Sequence, residues 1–207
     1  MELNIDEALR YLGVKSDPDG VLHAQMIPLA AALQRSIHPR STWVLTDKAA
    51  LALPGHTAGK MLAECRQCAV LVCTLGAEFD LWVRREQMRD MARAAMLDAL
   101  GSAYIEAACD AAEEAIRARL PGLYLTDRFS PGYGDLPLAV QPTLLTFAGG
   151  SRIGVTLTDT MLMVPQKSVT AIIGLADKPQ MARIRGCAHC ALNQSCEYRK
   201  AGTTCHV

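Results

Sequence analysis

Apolar residues recur at every third or fourth position through most of the first 120 residues, and the pattern then breaks into short β-prone runs. Ile5, Ala8, Leu9 and Leu12 mark a short amphipathic helix over 6–14, with Gly13 as its stop signal. Asp17-Pro18-Asp19-Gly20 is a turn, and helical spacing resumes over 21–37, where Pro28 is expected to kink or split the helix. A β-prone run at 42–45 and a helix over about 57–65 lead to 69–74, which reads as a buried strand. Residues 77–87 form a helix with Phe79, Trp82 and Val83 on one side. A long helix follows over 88–119, its apolar stripe formed by Met91, Ala95, Met96, Ala99, Leu100, Ala103 and Ala107. Its many small residues, Gly101 among them, allow a neighbour to approach closely.

After Pro121-Gly122 the pattern changes. Residues 123–126 read as a strand feeding directly into a loop at 128–134, and 136–146 as a helix with Pro137 in its first turn and Pro142 interrupting it. Extended structure, or a short helix leading to a strand, fits 155–158 and 160–164, and 168–175 is the last strand. Helices in the first half and strands mixed through the second imply an α+β domain over 1–183. Residues 184–207 have too little apolar material to build a core and form a separate cysteine-rich tail.

Composition narrows the functional classes. Half of the 207 residues are apolar, and 21 basic residues balance 21 acidic ones with no long like-charge block. That balance speaks against a nucleic-acid face or an anionic membrane partner and favours a small molecule or a protein. The first residues lack the pattern of a signal peptide, and no stretch gives about 18 uninterrupted apolar residues, so a cytoplasmic location is expected. Eight cysteines without an export signal point to thiols or metal and cluster ligands rather than disulfides.

Two groups of cysteines carry different expectations. Cys65-Arg66-Gln67-Cys68 has the spacing of a metal or redox pair, yet Cys68 and Cys73 flank a buried strand and fit as small apolar fillers. In the tail, Cys187, Cys190, Cys196 and Cys205 supply four soft ligands, enough for a tetrahedral zinc or a four-iron cluster, with His189 and His206 able to substitute. Arg183, Arg185, Arg199 and Lys200 would offset the thiolate charge. Zinc knots usually pair two C-x2-C arms, so the irregular spacing leans to the iron–sulfur cluster.

The loop Arg128-Phe129-Ser130-Pro131-Gly132-Tyr133-Gly134 gathers chemistry suited to a ligand. Arginine offers a planar fork of donors for a carboxylate, the glycines let a ligand lie against the backbone, and Tyr133 can cover an aromatic or sulfonium group with its ring face. With Met163-Val164-Pro165-Gln166-Lys167-Ser168-Val169 some thirty residues on, the loop resembles the S-adenosylmethionine-binding activation domain of cobalamin-dependent methionine synthase, and its free-standing versions in particular. This resemblance covers about residues 1–177 and leaves out the tail.

The resemblance implies a curved antiparallel sheet with packed helices. In that family the domain binds S-adenosylmethionine and covers the corrin while an oxidised cobalamin is reduced and remethylated. Arg128 would pair with the methionyl carboxylate, Ser130, Pro131 and Gly132 would line the adenosine, and Tyr133 would pack beside the ligand. Glu106, and with it Asp98, would lie near the groove from the long helix. A tyrosine of the family's last strand is missing, and Ile172 and Ile173 stand there instead. No corrin-binding Asp-x-His-x-x-Gly motif occurs, so a partner must carry the cobalamin. The expected role is an accessory component of a methionine synthase, a methyltransferase, rather than a complete enzyme. Its partner would be the cobalamin-binding protein, with flavodoxin or ferredoxin as electron donor. The alternative is an iron–sulfur redox protein that activates another corrinoid methyltransferase.

Overall fold

The computed structural model describes residues 3–14, 17–180, 194–196 and 200. Helix α1 (Ile5–Tyr11) is capped by Asn4, whose side chain accepts the Glu7 N–H at 3.1 Å. Asp17 caps α2 (Val21–Ser36), accepting the His23 N–H at 2.8 Å. Pro28 neither splits nor ends α2. It lies on the exposed side, where water can serve the carbonyl left without its partner one turn earlier.

Strand β1 (Arg40–Asp47), helix α3 (His56–Met61), strand β2 (Gln67–Thr74) and helices α4 (Ala77–Gln87) and α5 (Met91–Arg119) complete the first half. In the second half come β3 (Tyr124–Leu125), α6 (Gln141–Phe147), the small hairpin β4 (Thr156–Leu157) and β5 (Met163–Val164), and β6 (Ser168–Ala176). Pro142 opens α6 instead of interrupting it, because the first turn needs no proline N–H. Four strands form an antiparallel sheet in the order β1-β2-β6-β3, with Val70 opposite Ile172. The fold is therefore α+β.

Both faces of this sheet are covered. Ala69, Leu71, Cys73 and Ile173 point into a core with α1, α2, α4 and α5, while Cys68, Val70, Val72 and Ile172 point into a second core with α3 and α6. Double coverage explains why β2 reads as a continuous apolar run: every residue after Gln67 is buried. Cys68 and Cys73 are fully buried on opposite faces, as small apolar fillers would be. Ile172 and Ile173 are buried too, so neither lines a surface groove.

Helix α5 spans 29 residues and crosses the sheet with α1 and α4 against it. It starts at Met91, three residues later than the spacing suggests, because Asp90 caps it through the Arg93 N–H at 3.0 Å. Met91 and Ala95 are exposed, Ala99, Leu100 and Ala103 of the expected stripe are buried with Met96 packed against the core, and the covered face extends through Ala94, Leu97, Tyr104, Ile105, Ala108, Cys109, Ala112 and Ile116. Alanines occur all round the helix, so small residues alone do not mark which arc is covered. Gly101 is the point of closest approach: a Cβ there would lie 2.2 Å from the Phe79 ring.

Candidate functional site

Glu106, Asp110 and Glu113 follow one another at helical spacing on α5, which brings three carboxylates onto one face. Arg128 emerges just after β3 and meets all three. Its Nη2 donates to Glu106 at 3.0 Å, and its Nη1 to Asp110 at 2.5 Å and Glu113 at 3.0 Å. The arginine side chain is only 6% exposed, whereas those of Glu106 and Asp110 are 39% and 66% exposed. Burial works against the guanidinium charge, but the Asp110 hydrogen bond and the surrounding negative groups outweigh it and hold the proton more tightly than usual. Arg128 is thus a buried strut to α5, not the exposed loop residue its sequence context suggests. Three of its N–H groups serve these carboxylates, which leaves two of an arginine's usual five.

The loop beyond Arg128 is anchored at both ends. Phe129 exchanges both backbone hydrogen bonds with Ile172 of β6, at 3.0 and 2.8 Å. The turn closes on itself, with Tyr133 N–H donating to Ser130 O at 3.2 Å and Gly132 N–H to Leu136 O at 2.8 Å. Gly132 takes φ +90°, which only glycine adopts readily, and its missing side chain has nothing nearer than Leu138 at 3.8 Å. Pro131 is buried and Ser130 half-buried, while Tyr133 is 69% exposed. The resulting surface is a bare stretch of backbone beside an open aromatic ring.

Asp135 fixes the far side of the loop to α3. Its carboxylate accepts the N–H groups of His56 at 2.5 Å and Thr57 at 3.0 Å, which hold its pKa down to about 2. A carboxylate with a depressed pKa contributes stability that is present above its unfolded value of about 4 and is lost as pH falls toward 2. Asp135→Asn is therefore expected to lower the thermal midpoint at neutral pH, with the gap to wild type closing as the pH approaches 2. A gap that persists unchanged down to pH 2 would overturn this role.

Besides Asp110 and Glu113, which sequence reasoning did not name, electrostatics connect one further residue to the site. Tyr11, at the end of α1 and 51% exposed, feels the charge of Glu106. Burial and then the negative charges of Glu106 and Glu7 push its hydroxyl up to about 12, against the opposing charge of Arg10. Asp98, by contrast, belongs elsewhere. It accepts from Lys167 Nζ at 2.9 Å, and Lys167 also reaches Ser102 Oγ at 2.8 Å. Asp98 lies about 12 Å along the helix from Glu106, so the Met163–Val169 motif is tied to α5 away from the Arg128 cluster.

Among the described residues no group of His, Cys, Asp and Glu is arranged to hold a metal ion. Burial raises the thiol pKa of Cys65 and takes Cys68 to about 11. Cys109 is buried under the site, hydrogen-bonded to Cys73 and held well above the usual thiol range by that bond and by burial. Of the four tail cysteines, Cys196 is described as a half-buried free thiol, and Cys187, Cys190 and Cys205 lie outside the described residues. No helix of the described residues is long and apolar enough to cross a membrane.

No family model matches the sequence, and no curated protein matches it either. Among solved structures the chain is similar to the crystal structure of the MetH reactivation domain bound to AdoHcy, with a TM-score of 0.58 and 15% identity. The match covers 93% of this chain and 76% of that one, and it identifies the fold as that of the reactivation domain.

Proposed function

We propose that this protein is a reactivation module for a cobalamin-dependent methyltransferase, binding S-adenosylmethionine at the Glu106–Arg128–Tyr133 site. The observation that carries the reading is the 3.0 Å contact between Arg128 and Glu106, which joins the loop motif to α5 on a fold shared with a domain solved with AdoHcy. The residues fit such a ligand. The bare backbone at Gly132 and the open ring of Tyr133 suit the adenosine, and Glu106 offers an acceptor to the methionyl ammonium. The two remaining N–H groups of Arg128 suit the methionyl carboxylate. S-adenosylmethionine supplies the methyl group when bound. The chain's own residues bind and orient it, and a cobalamin-carrying partner presents the acceptor.

Calorimetry on the full chain tests the reading directly. S-adenosylmethionine is expected to bind with one-to-one stoichiometry, and Glu106→Gln to weaken it by about tenfold or more, as loss of a charge-assisted hydrogen bond does. Absence of both binding heat and a thermal shift at millimolar ligand would overturn the assignment.

A further inference from the structure

Helix α4 packs Phe79, Trp82 and Val83 against the core beneath it. On its opposite side Ala77, Leu81, Arg84 and Met88 recur every three or four residues, and all four are exposed. That spacing is the seam of one helix against another, so α4 carries a second seam besides the one it uses in the fold. Leu81 is 50% exposed and Met88 81%, and Met91, just past the turn into α5, is 66% exposed. Single exposed apolar residues are ordinary, but three large ones this close along the chain make a patch.

Charge gives the patch its sign. Between Ala77 and Arg93 stand four arginines, and each carboxylate of the same stretch is turned elsewhere. Glu78 folds back beside Gly76, where Arg40 also reaches. Asp80 accepts the Gln166 N–H at 2.9 Å, and Asp90 caps α5 through the Arg93 N–H. Glu86 accepts from Trp82 Nε1 at 3.2 Å and pairs with Arg93 at 3.3 Å. Arg84, Arg85 and Arg89 are all exposed and take part in no ion pair among the described residues. The outward face of α4 and the turn after it therefore present three unpaired guanidinium groups around an apolar centre.

We propose that this face docks an acidic amphipathic helix of a partner protein. A helix laid along α4 buries its apolar residues on Leu81 and Met88 and brings its carboxylates to Arg84, Arg85 and Arg89, whose planar forks suit them. Methionine and arginine are also among the side chains enriched at protein interfaces. A nucleic-acid backbone fits less well. The chain as a whole is neutral, three guanidinium groups are few for a polyanion, and phosphates offer the apolar centre nothing to cover it. The face lies about 22 Å along α5 from Glu106, so it stands independently of the ligand site.

The test titrates the full chain into a labelled helical peptide of about 18 residues, with leucines at seam spacing and glutamates elsewhere, read by fluorescence anisotropy. Wild type is expected to bind with a Kd of about 10–100 μM, weakening about tenfold or more as ionic strength rises from about 0.05 to 0.5 M. The same peptide with glutamine for glutamate should bind about tenfold more weakly or worse. Combining Arg84→Glu, Arg85→Glu and Arg89→Glu should remove binding, and Met88→Ala should weaken it about three- to tenfold. Lys60→Glu, on α3 across the sheet, should leave it unchanged. Melting checks that each variant is folded. Should the triple variant not fold, the two peptides and the salt dependence on wild type decide alone. No binding at about 1 mM peptide, equal binding of both peptides, a salt-independent affinity, or wild-type affinity in the folded triple variant would overturn the inference. So would binding to vesicles of about 30% phosphatidylserine in place of the peptide, which would make this a lipid-facing surface.

Discussion

Arg128→Ala is expected to lower the unfolding free energy by about 2–3 kcal/mol and to abolish S-adenosylmethionine binding in the same protein. The stability loss follows from burial. The guanidinium is 6% exposed and holds three carboxylates on α5, so its removal takes away their shared counterion and leaves Glu113 with Arg117 at 3.5 Å. Breaking a fully buried pair costs about 3–5 kcal/mol, and the lower figure allows for solvent around Asp110 and Glu106. Binding is lost for a related reason: Glu106 loses the partner that orients it, and the ligand carboxylate loses its donor. Arg128→Lys should recover part of the stability but little binding, since an ammonium cannot reach three acceptors and a ligand with a planar fork. Urea unfolding and calorimetry on the two variants check both effects. If Arg128→Ala unfolds at the wild-type urea midpoint, the strut role fails.

That double role could be read only in part from the sequence. Clusters of glycine, proline, serine and tyrosine are usually only turns, so the loop from Arg128 to Gly134 stands out through its family resemblance, and Glu106 joins it by the same route. Asp110 and Glu113 carried a signal that was available: they continue the spacing of Glu106 by four and then three residues along one helix face. Tyr11 carried none. Its place depends on α1 docking against α5, a contact between segments about ninety residues apart that no local periodicity encodes. The same limit explains why the α5 stripe is only partly right, with Met96, Ala99, Leu100 and Ala103 on the covered side but Met91 and Ala95 exposed. Where alanines surround a helix, spacing shows that some arc is covered, and only the positions of the neighbours decide which one.

Elements with a strong local cause were more legible. Strand β2 reads as buried because an apolar run bounded by polar residues is what double coverage demands, and the Asp17–Gly20 turn reads directly from its residues. Pro28 and Pro142 mark the boundary of such reasoning. A proline reports a missing N–H, but whether that breaks a helix depends on its position in the helix and on access to water. Cys65 and Cys68 make the same point about motifs. The spacing suits a metal, yet both thiols are buried among apolar residues of a packed core.

The placement of the carboxylate face depends in turn on how α5 seats against α4, and Gly101 is where that seating can be tested. A Cβ at this position would lie 2.2 Å from Cζ, 2.6 Å from Cε1 and 3.0 Å from Cε2 of Phe79, a ring that is itself 1% exposed. Gly→Ala inside a helix ordinarily gains up to about 1 kcal/mol, whereas overpacking a core costs about 1–3 kcal/mol. With no room for the ring to withdraw, Gly101→Ala is expected to destabilise the wild type by about 1–2 kcal/mol. All three of the nearest atoms are absent from leucine. In a Phe79→Leu background the same substitution should therefore change sign and stabilise by about 0.5–1 kcal/mol. Glu106 lies about 7.5 Å further along the axis, so a displaced α5 should also weaken S-adenosylmethionine binding in the single variant and restore it in the double one. A thermodynamic cycle on these variants measures both effects. Additivity within about 0.5 kcal/mol would mean that the glycine–ring contact does not set the spacing of the two helices, and that the carboxylates owe their position to Arg128 alone.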